Sequence, residues 1–234
     1  MKTRKSSFVH RLLIANTIFF CLNLLFFLLF PNVDIFFSNF FYINDAFLDY
    51  HFLIIRKLRT FLKNFMIFFS LSSLFLLILI KLNHSQKVLN YKKNLRIKLI
   101  AIGFLIGPII GCGLIANLYF KDNWGRARPY QVEEFGGNLI YTPPLLKSDQ
   151  CIKNCSWIGG ETSAAFSFIA GILFMRKRKK FLRVLYFFGS LVIFCRMAMG
   201  GHFLSDNLFA VNFMIYLSII YYFGALKLLK KSSR

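Results

Sequence analysis

One short segment of this largely apolar chain, CRMAMGGHFLSDN, pairs a histidine with a carboxylate. His202 and Asp206 are four residues apart, so a helix would place both side chains on one face. A carboxylate there can hold one imidazole N–H and leave the other nitrogen free as a nucleophile. Arg196 precedes the histidine by six residues, across the Gly200-Gly201 turn. We therefore expect His202, Asp206 and Arg196 to form a catalytic group.

A second segment, KDNWGRARP at 121–129, collects three cations. Lys121 and Arg128 are seven residues apart, about two helical turns, and Arg126 lies between them. Lysine supplies a point charge, and arginine a planar fork that suits phosphate oxygens. The segment therefore predicts phosphate binding by all three. The alternative is a cluster of cations that reaches from the membrane edge into water.

The third segment, CSWIGGETSAAF at 155–166, has a glycine pair before a helical run that begins near Thr162. Glycine lets the backbone approach a ligand closely, and the N–H groups at the start of a helix favour anions. Gly160 is therefore a candidate phosphate donor. Glu161 either stabilises the helix N-terminus through its charge or acts as a proton donor.

The elements that must position these segments are predicted to be membrane-spanning helices. Mean hydropathy is +0.57 and 57% of the residues are hydrophobic, and a bilayer-spanning helix needs about 20 mostly apolar residues. Six stretches qualify: 12–30, 61–80, 99–120, 162–175, 181–199 and 207–226. We expect one all-α domain over 1–234, a six-span helix bundle with an uncleaved first span.

The basic residues predict which side of the membrane each segment occupies. The net charge is +21, and twenty of the 30 lysines and arginines lie in four segments without Asp or Glu. These segments are the N-terminus, 81–98, 176–183 and 227–234. Because basic loops face the cytoplasm, both termini are expected there and the three chemical segments on the other side. The pattern favours a membrane protein over a nucleic-acid-binding one, and the aromatic stretch 31–60 is expected to lie along the outer membrane surface.

The remaining cysteines and histidines predict little chemistry. Cys151 and Cys155 fall in the long outer loop, where they are either bonded or free. His10, His51 and His84 are expected to be structural. The sequence has neither a cluster of histidines nor a cluster of carboxylates that could form a two-metal site. We therefore expect no metal and no cofactor.

Together the motifs resemble a known family. KDNWGRARP has the form K-x6-R-P, and CRMAMGGHFLSD nearly has the form S-R-x5-H-x3-D, with a glycine turn between them. This set resembles the type-2 phosphatidic acid phosphatase superfamily, which is six-spanning and metal-independent. Cys195 replaces the serine of the last motif, and Glu161 replaces the histidine of the middle motif, P-S-G-H. An acidic residue there, with IFPNVDIFF at 29–37, is similar to the lipid A phosphatase branch.

The resemblance implies a site at the periplasmic face of a bacterial inner membrane. His202 would form a phospho-histidine oriented by Asp206, and Lys121, Arg128 and Arg196 would bind the phosphoryl group, with the Gly160 N–H as a further donor. Glu161 would protonate the leaving group, or instead work through water or recognise the glucosamine. The expected substrate is lipid A, with the 4′-phosphate favoured. Three alternative substrates are equally compatible with the catalytic residues: the 1-phosphate of lipid A, undecaprenyl pyrophosphate and phosphatidylglycerol phosphate. A transporter or an inactive lipid-binding relative is less favoured, because the charges gather at one end and His202 keeps its Asp206 partner.

Overall fold

The computed structural model describes residues 2–82 and 91–231. Nine α-helices lie in these ranges: α1 Lys2–Leu29, α2 Val33–Asn39, α3 Leu48–His51, α4 Leu53–Leu82, α5 Tyr91–Pro108, α6 Gly160–Ser167, α7 Ile169–Ile172, α8 Arg178–Ala198 and α9 Leu204–Lys231. A π-helix, Ile109–Lys121, continues α5, and Pro129–Gln131 and Glu133–Phe135 form 3-10 turns. His84 and part of the basic 81–98 segment lie outside the described residues, as do the last three residues of the chain.

The chain is mostly helical, as expected, but the stretch 31–60 also contains a small β hairpin. Strand β1, Tyr42–Ile43, pairs antiparallel with β2, Ala46–Phe47. Asn44 and Asp45 form the turn with φ of 49° and 59°, a backbone conformation that Asn and Asp adopt more readily than most residues. The sequence analysis did not predict this hairpin.

Five helices of the described chain are long and apolar enough to cross a membrane: Ser7–Leu29, Leu53–Leu82, Asn94–Lys121, Arg178–Ala198 and Leu204–Lys227. The predicted span at 162–175 instead forms the short helices α6 and α7. Phe168 joins them with helical φ and ψ of −62° and −15°. Six membrane spans therefore stay a prediction.

These two short helices lie at the centre of the bundle. Phe166 and Ile169 are fully or almost fully buried, and the neighbouring helices α5, α8 and α9 cover them. A Cβ on Gly103 of α5 would lie 2.5 Å from the Gly171 backbone nitrogen, so two glycines let α5 and α7 approach closely. The first residues of α6 thereby have a fixed position at one end of the bundle.

The π-helix ends at the first predicted cation. Its 13 residues run from Ile109 to Lys121, an unusual length because π-helical turns are normally single and often mark functional sites. Lys121 is only 8% exposed. The distorted helix therefore brings a charged side chain into the end of the bundle where α6 begins.

Candidate active site

The three polar segments meet at this end of the bundle. Lys121 ends the π-helix, Glu161 lies in the first turn of α6, and Arg196 lies in the last turn of α8. His202 follows in the turn before α9, and Asp206 lies in the first turn of α9. Residues far apart in the chain therefore form one cluster.

His202 faces Asp206, but not from the face of a helix. Because α9 begins only at Leu204, the prediction of one shared helical face was wrong. The His202 Nδ1 nevertheless lies 3.6 Å from the Asp206 Oδ2. That distance exceeds a hydrogen bond, and Nδ1 is buried without a hydrogen-bond partner among the described residues. Catalytic hydrogen bonds are often long in an empty site and tighten with substrate.

The environment of His202 keeps its imidazole uncharged. Burial lowers its pKa well below the usual 6.5, and the positive charges of Arg196, Lys121 and Arg128 lower it further. The neutral ring is the form with a lone pair on nitrogen. His202 can therefore act as a nucleophile at neutral pH.

Arg196 presents a buried guanidinium with an unpaired N–H. Its side chain is 6% exposed, and its Nε is buried without a hydrogen-bond partner among the described residues. The nearest carboxylate oxygen, on Glu161, is 3.9 Å away. The group packs over Gly201, where a Cβ would lie 2.4 Å from its Nη2. Since buried polar groups are normally satisfied, an anion bound here would complete the site.

Lys121 and Arg128 also lie close enough to His202 for their charges to lower its pKa. Nothing in the described chain accepts a hydrogen bond from the Lys121 ammonium, which lies so close to Gly160 that a Cβ there would be 3.1 Å from its Nζ. The Arg128 Nη2 donates to the Asn154 carbonyl oxygen at 2.7 Å and to its Oδ1 at 2.8 Å. Both cations are available to a phosphate bound against the start of α6.

A disulfide closes the loop that holds Arg128. Cys151 and Cys155 are bonded, with their Cα atoms 5.7 Å apart. The Cys155 N–H donates to the Lys121 carbonyl oxygen at 3.2 Å. Asn154, the residue that binds the guanidinium, lies inside this loop. The disulfide therefore supports both of the predicted phosphate ligands at 121 and 128.

Arg126 does not fit its predicted role as a phosphate ligand. It is fully buried, its Nη1 donates to the Asp206 Oδ1 at 2.6 Å, and its Nη2 donates to the Asp34 Oδ2 at 2.8 Å. Its Nε donates to the Thr142 carbonyl oxygen at 2.9 Å. Because protein oxygens already bind each of these three nitrogens, Arg126 positions Asp206 instead of binding substrate.

The sequence analysis missed Asp34, the second carboxylate of this buried cluster. Asp34 lies in the first turn of α2, and its Oδ1 accepts a hydrogen bond from the Ser205 N–H at 2.9 Å. Burial raises its pKa, while the charge of Arg126 opposes that shift. The only signal in the sequence was one charged residue within the apolar stretch FPNVDIFF.

The sequence analysis also missed Arg59, which binds Glu161. The Arg59 Nε lies 3.0 Å and 3.2 Å from the two carboxylate oxygens, and its Nη2 makes a further contact with Oε1. Arg59 belongs to α4, within a run of cations near the start of that helix. The sequence analysis expected this part of the chain outside the cytoplasm, where such a run would be unusual, and that was its signal in the sequence.

No group of three His, Cys, Asp or Glu residues in 2–82 or 91–231 could hold a metal ion. The charge at the cluster is instead suited to an anion, because three cations surround the neutral histidine. The arrangement can bind a phosphoryl group and attack it with a nitrogen nucleophile.

Comparison with known proteins gives a consistent family. The family model of the PAP2 superfamily matches residues 97–228. The chain is 39% identical over 200 residues to a lipid A 4′-phosphatase of Francisella tularensis subsp. novicida, and the aligned stretch covers 83% of this chain and 86% of that protein. It is 32% identical over 138 residues to a lipid A 4′-phosphatase of Rhizobium leguminosarum, and that stretch covers 58% of this chain and 55% of the relative. No solved structure matches the chain.

Proposed function

The chain belongs to the PAP2 superfamily, as its three motifs indicated, and from that premise we propose that it hydrolyses a phosphate monoester of lipid A, with the 4′-phosphate as the favoured position. The family and the named relatives support a lipid phosphatase. The observation that carries the proposal is the neutral His202 beside Arg196, whose buried guanidinium has an unpaired N–H. A bound phosphate would give the Arg196 N–H a hydrogen-bond acceptor and the His202 nitrogen a phosphorus atom to attack.

In the first step the Nε2 of His202 attacks phosphorus, the bond from phosphorus to the sugar oxygen breaks, that oxygen takes a proton from water or from Glu161 and leaves as a hydroxyl, and a phospho-histidine forms. The ring then carries positive charge, and the Asp206 carboxylate at 3.6 Å from Nδ1 stabilises it as the two approach. Arg126 holds the other oxygen of that carboxylate. In the second step water takes the phosphoryl group and frees His202.

The cations provide most of the electrostatic stabilisation of the transition state. Arg196, Lys121 and Arg128 neutralise the phosphoryl oxygens as negative charge spreads over them in the transition state. The Gly160 N–H at the start of α6 adds a backbone donor. Glu161 is at the side where the sugar leaves, and its position suits either protonation of the leaving oxygen or recognition of the sugar.

Lipid A from cells with and without the protein tests the proposal. We expect mass spectrometry to show loss of one phosphate, and fragmentation to place that loss on the distal sugar. Cells that carry His202→Ala should keep the phosphate, while His51→Ala, an exposed histidine of α3, should behave as the wild type.

Other outcomes would redirect or contradict the proposal. Loss from the proximal sugar would indicate the 1-phosphate. An unchanged lipid A profile, with phosphate released from undecaprenyl pyrophosphate or phosphatidylglycerol phosphate, would favour those substrates. Release by His202→Ala at the wild-type rate would exclude the phospho-histidine.

We also propose a bacterial inner-membrane location with six spans, the site at the periplasmic face and both termini in the cytoplasm. The distribution of charge supports this orientation, because four basic segments without acidic residues alternate with the site-bearing segments. Single cysteines introduced at Lys179 and Lys147 test it. A membrane-impermeant thiol reagent applied to whole spheroplasts should label only the second, and label at position 179 would contradict the orientation.

A further inference from the structure

Glu161 and Arg59 form an ion pair that bridges two distant parts of the chain. Arg59 is 102 residues from Glu161 and lies before the residues matched by the family model. The two side chains are 31% and 20% exposed, whereas Arg196 behind them is 6% exposed. The pair therefore lies between the buried phosphate ligands and the open end of the site.

The Glu161 carboxylate is surrounded by hydrogen-bond donors. Two nitrogens of the Arg59 guanidinium contact it, and the Arg196 guanidinium lies 3.9 Å away. Both neighbours donate hydrogen bonds and accept none. Glu161 is therefore placed to accept hydrogen bonds, and a donor on a substrate could take the place that the two arginines leave open.

The pair still has capacity to bind a ligand. The Glu161 Oε2 accepts one hydrogen bond in the described structure, from the Arg59 Nε, so lone pairs remain on it. A partly exposed ion pair contributes little to stability, so holding α4 against α6 does not by itself explain a cation at this place. A hydrogen-bond acceptor fixed beside a phosphate site is suited to recognising hydrogen-bond donors of the substrate that lie next to the phosphate.

We propose that Glu161 and Arg59 select a phosphorylated sugar lipid over a phosphorylated glycerol lipid. The Glu161 carboxylate accepts a hydrogen bond from a hydroxyl or amide N–H of the sugar beside the phosphate, and Arg59 is a positioning residue that holds Glu161 in place. Phosphatidic acid carries only esters beside its phosphate and offers no such donor. This inference rests on the proposed function, because it concerns the substrate of the same site.

The experiment measures phosphate release from two probes, purified lipid A and phosphatidic acid, in the same mixed micelles. The variants are Arg59→Met, Glu161→Gln and the double variant. Lys57→Met, an exposed cation of the same helix turn, is the matched control. Size-exclusion profiles and unfolding temperatures verify that each variant is folded.

We expect each single variant to raise KM for lipid A about tenfold or more, the effect of losing a hydrogen bond to a charged group. In Arg59→Met, kcat on lipid A and kcat/KM on phosphatidic acid should change by less than about threefold. Because the two residues act as a unit, the double variant should match the single ones. Arg59→Lys, which keeps the charge but loses the fork, should lose less than Arg59→Met.

Two results would overturn the inference and leave the proposed function intact. One is an unchanged KM for lipid A in folded Arg59→Met. The other is an equal fall of kcat on both lipids in Glu161→Gln, which would make Glu161 the proton donor. A wild-type protein that releases phosphate from phosphatidic acid but none from lipid A would contradict the proposed function itself, and the selectivity with it.

Discussion

For single residues, the chemistry depends on His202 being uncharged when a phosphate arrives. A protonated imidazole has no lone pair to attack phosphorus. Burial and three cations lower the pKa of His202, so the protein keeps the reactive form without a hydrogen bond to Nδ1. In the proposed mechanism, the cations that bind phosphate therefore also keep the nucleophile in its reactive form.

This arrangement predicts the pH dependence of phospho-enzyme formation. Because the pKa of His202 lies below 6.5, the rate should stay level as the pH falls through 6.5 and decline only at lower pH. Lys121→Met removes one of the charges that lower the pKa, so its acid limb should move to higher pH. Single-turnover rates across the range measure both, and a wild-type midpoint at or above 6.5 would contradict the prediction.

Gly201 predicts a second effect on a single side chain. An alanine Cβ there would lie 2.4 Å from the Arg196 Nη2, and the flexible guanidinium is the group that must move. We expect Gly201→Ala to lower kcat/KM about tenfold or more, since a charge-assisted contact is lost, with little change in unfolding temperature.

Gly224→Ala is the control for this variant, because a Cβ at that glycine has nothing within 4 Å. Equal activity of the two alanine variants would mean that the position of Arg196 is unimportant.

Residue types and spacing in the sequence predicted which side chains meet, but not what each one contacts. Lys121 and Arg128 were predicted to act together because two cations lie seven residues apart, and His202 and Arg196 because a histidine, a carboxylate and an arginine fall in one short segment. Arg126 looks the same in sequence, yet it faces inward to two carboxylates. Its orientation depends on Asp34, which is 92 residues away, and no local pattern reports such a contact.

Among the elements, the loop closed by the disulfide positions the Arg128 side chain. The segment after the π-helix has an extended backbone at Arg128, with φ of −86° and ψ of 158°, so helix geometry does not fix its side chain. Asn154 supplies that support from a loop closed by Cys151 and Cys155. Closing a loop this short stabilises it by about 2 kcal/mol in the chain-entropy account.

We therefore expect Cys151→Ser to raise KM several-fold, because Arg128 loses a fixed partner, while the global fold stays intact. A reducing agent should affect the wild type in the same direction. Cys21→Ser, at an exposed free cysteine of α1, is the control. Unchanged kinetics after verified reduction would contradict this role for the loop.

The hydrophobic pattern predicted six spans, and five of them correspond to long helices of the described chain. It failed where helices are short or irregular. The stretch 162–175 is apolar but is divided at Phe168 into α6 and α7. The π-helical form of Ile109–Lys121 leaves no mark in composition, since its residues are ordinary for a membrane helix. Both features depend on packing between elements.

For the whole molecule, a buried cluster of alternating charge joins the N-terminal third to the catalytic end. Asp34, Arg126 and Asp206 are all fully buried. Removing one partner from such a cluster leaves an uncompensated charge, which costs about 3–5 kcal/mol. The cluster also fixes the carboxylate that faces His202, so stability and activity are expected to change together.

Asp34→Ala should therefore lower the free energy of unfolding by several kcal/mol and lower kcat as Asp206 shifts. Asp49→Ala provides the comparison, because Asp49 pairs with Arg56, a side chain that is 51% exposed, and such pairs contribute about 0–1 kcal/mol. Chemical unfolding in detergent measures the two differences. An equal fall in the free energy of unfolding in both variants would show that the buried cluster stabilises the fold no more than the exposed ion pair does.

The position of Asp34 and Arg59 also bears on how this enzyme can be shortened or recombined. The stretch that the superfamily model matches begins at residue 97 and holds the proposed nucleophile and phosphate ligands. A fragment that starts there would lack Asp34, one of the two carboxylates that bind Arg126, and Arg59, which binds Glu161. We therefore expect the minimal catalytic unit to be larger than the matched stretch, and a graft of the proposed activity onto another superfamily member would have to include both N-terminal residues.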